Sequence, residues 1–246
     1  MIITLTTDFG TADGFVGAMK GVIARLAPDA TVVDLAHDVP RHDRAHAAWV
    51  LHTAAREFPS GTIHVVVVDP GVGGARADVV VAAGGQLFVG PDNGVLAYVA
   101  DPLEGAWAIT STAYRFASAS PTFHGRDVFA ATAAALARGL PPQGAGPATD
   151  LAGVLPWPAR ATDGRGVIVH VDRYGNLITN LTGPARAVRL DDERVALVRT
   201  YEDVAVGRAL AYVGSVGTIE LAVREGSAAA HFRVARGVAV STVEDS

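Results

Sequence analysis

The stretch VVVVDPGVGGAR, residues 65–76, decides the fold. Its four valines do not alternate with polar residues. A strand built from them is covered on both faces, as in a parallel sheet packed between helices. An acid, a proline, a glycine-rich bend and an arginine follow at once. Glycine bends after such strands often cradle phosphate, but this one lacks the signatures. The chain contains no GK[ST], and Arg76 stands where the G-x-G-x-x-G fingerprint needs a small residue. Asp69, just before the bend, would repel a phosphate. The loop therefore approaches something else. One use is to swing Arg76 back beside Asp69; the alternative is a surface arginine after a turn.

Working outward, IITLTT at 2–7 reads as a strand broken by DFG. Residues 13–26 show helical spacing at Phe15, Met19, Val22, Ile23 and Leu26, TVVDL is a second strand, and 42–58 a second helix. With the valine strand (62–68) this is β-α-β-α-β, the pattern of a mainly parallel sheet. ADVVVAA and QLFV around Gly84-Gly85 read as a hairpin, PDNG at 91–94 as a turn, 95–101 as a short helix and 126–138 as an Ala-rich helix. The proline- and glycine-rich segment 141–165 reads as an ordered linker between an α/β domain (1–140) and a second domain (166–246). In the second, GVIVHVD, AVRL, RVALVRTY, ALAYVG, TIELAV, HFRV and VAVSTV alternate between glycine turns, which predicts a small β-barrel.

Half of the 246 residues are hydrophobic, so a large core is expected. The net charge of −5 argues against nucleic acid or an acidic membrane as partner. No cysteine is present, which excludes disulfides, thiolate nucleophiles and cysteine-bound zinc. MIITLTTDFG has no basic leader, and no apolar run reaches the roughly 20 residues of a membrane span. A cytoplasmic protein is the expectation.

Asp8 ends the first strand and Asp69 the third, and in a parallel sheet both ends lie on the edge where ligands bind. A carboxylate there can take both hydroxyls of a ribose; the bland alternative is a helix or turn cap. His124, in PTFHGRD at a loop–helix junction, can hold a polar ligand or move a proton, or simply pack. HDRAH at 42–46 has the i, i+4 histidines of a zinc helix, but Asp43 is too short for the required Glu and no third ligand is evident, so no metal site is expected. In the second domain Asp172, Tyr174 and Asn176 surround Gly175 at a bend, and Ser215 and Glu220 interrupt an apolar stretch.

TDFG at 7–10, VVDPGVGG with Arg76, GPDNG at 90–94, FHGRD at 123–127, YGN at 174–176 with TN at 179–180, and SVGTIELAV at 215–223 occur in this order. With these motifs the whole chain resembles the S-adenosyl-L-methionine (SAM) hydroxide adenosyltransferases, adenosine-forming SAM hydrolases related to the SAM-dependent fluorinase and chlorinase. The resemblance implies SAM as substrate, no cofactor, and a homotrimer with the active site between the α/β domain of one subunit and the barrel of the next. It matches Asp8 to the acid that holds the ribose hydroxyls. Asp69, Arg76 and His124 match the triad that positions the attacking water. Asp172 and Asn176 match residues near the amino-acid end of SAM, and Ser215, Glu220 and Val223 fall where the family contacts adenosine.

Three departures matter. Gly214 stands where Asn is usual, which is expected to loosen the contacts made by that loop. Gly125 and Val72 replace the hydroxyl residues of the halide pocket, and Asp69 replaces its aromatic residue. A carboxylate repels a halide, so water rather than halide is the expected nucleophile. A SAM- or adenosine-binding sensor with negligible turnover is the alternative of a different class.

Overall fold

The computed structural model describes residues 1–161 and 163–243. The valine strand, β3 (Ile63–Val67), lies inside a six-stranded sheet with β1 (Ile2–Thr7), β2 (Thr31–Ala36), β4 (Asp78–Ala83), β5 (Gln86–Pro91) and β6 (Leu103–Ala108). The order is β2-β1-β3-β5-β4-β6. The first four run parallel, while β4 is antiparallel to both its neighbours. Successive β3 side chains serve opposite layers, as the two-residue strand period requires. Ile63, Val65 and Val67 pack with Met19, Ile23, Val128 and Phe129, beneath α1 (Phe15–Leu26) and α3 (Ala131–Ala137). Val66 and Val68 pack with Ala47 and Leu51 of α2 (Arg44–Ala55). Two covered faces are why the run is apolar throughout. Each buried valine contributes about 1.5–3 kcal/mol relative to exposure.

α1 buries Met19, Val22 and Ile23 of the expected stripe together with Val16, while Phe15 is exposed and Leu26 half-buried. α2 is shorter than its pattern suggested. Asp43 caps it by accepting from His46 N at 3.0 Å, and His42 lies outside it with a left-handed φ of 64°. The two histidines therefore never take i and i+4 positions on a helix. The expected helix over 95–101 is instead a series of turns: once Ala97 N has closed onto Gly94 O, Val99 and Ala100 N both reach back to Leu96 O. The Ala-rich helix opens with a wide π turn, Gly125–Ala130, that runs into α3.

Contacts divide the chain into two units, Met1–Leu155 and a second that begins at Pro156. The proline-rich stretch starts on the first: Ala145 is buried, and its carbonyl accepts from Thr110 and Ser111 N. The second unit is an antiparallel sheet of β7 (Arg165–Val171), β8 (Leu177–Thr179), β9 (Ala187–Leu190), β10 (Glu193–Ala196), β11 (Ala209–Val213), β12 (Ile219–Val223) and β13 (Ala239–Val243). Its order is β10-β9-β13-β7-β8-β12-β11. A bridge from Leu197, just past β10, to Ala211 of β11 joins the two ends into a nearly closed barrel around Ile168, Leu177, Leu190 and Leu221. HFRV is not a strand. Residues Ala228–Phe232 form a short helix, α4, because Ser227 caps Ala230 N and Arg233 stops it at a φ of 58°. No helix among the described residues is long and apolar enough to cross a membrane.

Candidate active site

β1 and β3 are neighbours, with Thr7 paired to Val67, so Asp8 and Asp69 emerge side by side at their carboxyl ends. Both line a cavity of about 340 Å³ that also includes Phe9, Phe15, Phe123 and His124. Three hydrogen bonds fix its rim. Thr7 Oγ1 lies 2.9 Å from His37 Nδ1, Gly10 N donates to His37 O, and Asn93 Nδ2 donates to Val68 O at 2.9 Å. Through the last contact, GPDNG ties down the end of β3. Asp8 Oδ2 accepts from His42 N at 2.9 Å. One carboxylate oxygen thus braces the loop after β2.

The glycine bend does bring Arg76 home. Val72 N closes onto Asp69 O and Gly74 N onto Gly71 O, two consecutive turns that reverse the chain. Gly73 has a φ of +74°, and a Cβ there would lie 2.3 Å from Pro121 O, so only glycine lets this loop seat against the segment carrying His124. Arg76 then grips Asp69 with both prongs, Nε to Oδ1 at 3.1 Å and Nη2 to Oδ2 at 2.5 Å. The Arg76 side chain is only 11% exposed and the Asp69 side chain 4%. Burial works against the guanidinium's charge, but Asp69 and Asp78 outweigh it and raise Arg76 above its ordinary range. Arg76 stands behind the cavity wall rather than on it, over the ring of Phe129.

His124 joins this cluster through Nδ1, 3.0 Å from Arg76 Nη2 and 3.1 Å from Asp78. Its loop is held by Asp127, which accepts from Ser120 N at 2.8 Å and pairs bidentately with Arg126. The Arg126 bond and charge hold the Asp127 carboxyl below its usual range despite burial. Phe123 packs edge-on against Phe9 and Phe15. Gly125 faces Phe9, whose ring a Cβ would meet at 3.3 Å. The cavity lining thus combines the rings of Phe9, Phe15 and Phe123 with the carboxylates of Asp8, Asp13 and Asp69.

The second unit assembles its own polar chain. Asp172 Oδ1 accepts from the backbone of Tyr174 and Asn176, and Oδ2 from Asn176 Nδ2 at 2.9 Å. Asn176 Nδ2 also reaches Tyr201 Oη, which lies 2.8 Å from Tyr212 Oη, which donates to Glu220 Oε2. Burial, joined by the charge of Asp172, pushes the Glu220 carboxyl up, while the Tyr212 hydroxyl works against it. Burial and Glu220 in turn raise Tyr212. Val223 lines the adjacent pocket with Tyr174, Asn176 and Tyr201. Ser215 is exposed in the turn between β11 and β12, whose Gly214, Val216 and Thr218 are buried. The turn itself closes at Gly214. Its N–H closes onto Thr218 O at 2.8 Å, and the Glu220 carboxylate fills the space of its missing side chain.

Asp69, Arg76 and His124 thus meet in one cluster with Asp8 on the same cavity, and Asp172, Asn176, Glu220 and Val223 gather in the other unit. Three residues were missed. Asp78 is hidden at the start of an apolar strand, and its spacing from Arg76 was the available clue. Tyr201 and Tyr212 carry no motif and meet only through folding.

An α/β unit with paired acids at its carboxyl edge, followed by a barrel-like β unit, defines a class built to handle a small polar ligand. The chain belongs to the SAM hydroxide adenosyltransferase family: the N-terminal domain model of that family matches residues 3–146 and the C-terminal domain model residues 166–241. It is 43% identical over 234 residues to an (R)-S-adenosyl-L-methionine hydrolase of Thermus thermophilus, covering 90% of this chain and 91% of that one. A fluorinase of an Actinoplanes species is more distant, at 26% identity over 99% of this chain and 97% of the fluorinase. A crystal structure of an uncharacterized conserved protein from Thermotoga maritima superposes with a TM-score of 0.90 at 33% identity, covering 99% of this chain and all of that one.

Proposed function

We propose that the protein hydrolyses S-adenosyl-L-methionine to adenosine and L-methionine by in-line attack of water on ribose C5′. The observation that carries this is the Asp69 carboxylate, held by Arg76 beside His124 and lining a cavity that also presents the rings of Phe9, Phe15 and Phe123. The sulfonium supplies the leaving group, so what remains is to hold water opposite sulfur, at about 3–3.5 Å from C5′. Asp69 accepts a hydrogen bond from that water, Arg76 balances the local charge, and His124 orients the water or takes its proton. Asp8 holds the ribose hydroxyls. Positive charge disperses from sulfur in the transition state, which an apolar wall of Phe9, Phe15 and Phe123 favours. Asp172 and Asn176 serve the amino-acid end of the substrate, and Ser215, Glu220 and Val223 the adenosine.

The same reading includes a cytoplasmic homotrimer that binds neither nucleic acid nor membrane, each site shared between the α/β unit of one subunit and the β unit of its neighbour. Phe15 beside one cavity and Tyr174 beside the other, 46% and 77% exposed, support a covering partner. Sedimentation should give three times the chain mass of 25.3 kDa.

The names of the hydrolase relatives specify the R configuration at sulfur, so the deciding assay incubates pure protein with each SAM epimer and follows adenosine and methionine. Both products should appear in equal amounts, faster from the R epimer and unaffected by chelator. Binding without adenosine would make the protein a sensor. A 5′-halo-adenosine formed with fluoride or chloride would overturn water as the nucleophile.

A further inference from the structure

We propose that Asp78 is a positioning residue of this site, one that fixes His124 in the tautomer whose Nε2 takes the proton of the attacking water. The proposal rests on the hydrolase reading. Asp78 opens β4 opposite Pro91, its carbonyl accepts from Ile109 N at 2.8 Å, and its side chain is 7% exposed. Its Oδ1 takes Arg76 Nη1 at 2.7 Å and lies 3.1 Å from His124 Nδ1, with Oδ2 at the same distance from that nitrogen.

His124 Nδ1 has one position for a hydrogen bond and two claimants. Asp78 requires an N–H there; Arg76 Nη2, 3.0 Å away, requires a lone pair. Two arguments favour Asp78. Arg76 already spends Nε, Nη1 and one hydrogen of Nη2 on Asp69 and Asp78. By contrast Asp78 Oδ2 is a nearly buried carboxylate oxygen, and a lone pair facing it would leave it without a donor and add repulsion.

With Nδ1–H on Asp78, Nε2 carries the lone pair, and His124 lines the cavity where water must stand. The water oxygen bonds to C5′ while the C5′–S bond breaks and its electron pair stays on sulfur as the thioether of methionine. The proton lost by the water passes to Nε2 and is later released to solvent, so the step balances. Asp78 does not line the cavity, so its loss should act on the chemical step and not on binding.

The full-length protein with ¹⁵N-histidine, its His124 signal assigned with a His124→Gln variant, should show Nδ1 protonated. In Asp78→Asn the amide oxygen stays with Arg76 Nη1, so the amide N–H faces Nδ1 and moves the proton to Nε2. That variant should lose about 10²-fold or more in kcat with the KM for SAM changed less than about threefold, and Asp78→Glu should recover about tenfold of the loss. Nδ1 without a proton in the wild type overturns the proposal. So does full activity in Asp78→Asn, or equal losses in both variants with the tautomer unmoved. If the wild type were inert toward SAM, the hydrolase reading and the proton-acceptor role would fall together. The histidine signal would then show separately whether the Asp78–His124 pairing stands.

Discussion

The two polar clusters are built on opposite plans. In the α/β unit, the nearly buried charges of Asp69, Arg76 and Asp78 are joined by ion pairs, and His124 is hydrogen-bonded to them. In the β unit, amide and hydroxyl groups of Asn176, Tyr201 and Tyr212 form a ladder between two carboxylates, Asp172 and Glu220. A cluster of fixed charges changes the energy of a reacting group strongly, because it is preorganised and poorly solvated. A ladder of neutral donors and acceptors reads shape and hydrogen-bonding pattern, each bond contributing about 1 kcal/mol. On the proposed function, the first is where bonds change and the second is where the substrate is recognised.

The strongest way to break this contrast is Asp69→Ala. Turnover of SAM should fall about 10³-fold or more while the SAM Kd, by calorimetry, changes less than about tenfold. Normal turnover would remove Asp69 from the chemistry. Acid tests the α/β unit from behind. His64 of β3 is fully buried, stacked on Phe88 and bonded to Thr4, and burial lowers its pKa to about 4. Because the folded value lies below the unfolded one, this contribution is complete above about pH 6.5 and is lost as pH falls toward 4, up to about 3 kcal/mol. Thermal melts at pH 7.5 and 4.5 should therefore differ less in His64→Phe than in the wild type. Asp8→Ala should weaken adenosine binding about 10- to 100-fold, and unchanged affinity would sink the ribose assignment. The smallest effect belongs to the ladder: Tyr212→Phe should cost about threefold to tenfold in SAM affinity and leave kcat within about twofold. A large fall in kcat instead would erase the distinction between the two clusters.

What the sequence disclosed follows the same divide. Motifs at strand ends were readable because period and punctuation locate them: the valine run gave the sheet, and Asp8 and Asp69 followed from where it stopped. Asp78 was not, since one acid at the head of DVVVAA looks like a solvent-side residue until Arg76 folds back onto it. Tyr201 and Tyr212 are brought together by a 3₁₀ turn at Tyr201–Asp203 and by the pairing of Tyr212 with Glu220 across β11 and β12. Nothing in residue spacing announces either. HFRV alternates like a strand, yet the preceding SAAA supplies a helix cap and good helix formers, and that local signal won.

The gap at Gly214 has a meaning beyond shape. Because a Cβ there would land on Glu220 Oε1, a side chain gained at 214 has to push the Glu220 carboxylate aside, and so reaches the ladder of Tyr212 and Tyr201 behind it. A library that randomises the proposed adenosine contacts therefore gains by drawing 214 and 220 as a pair.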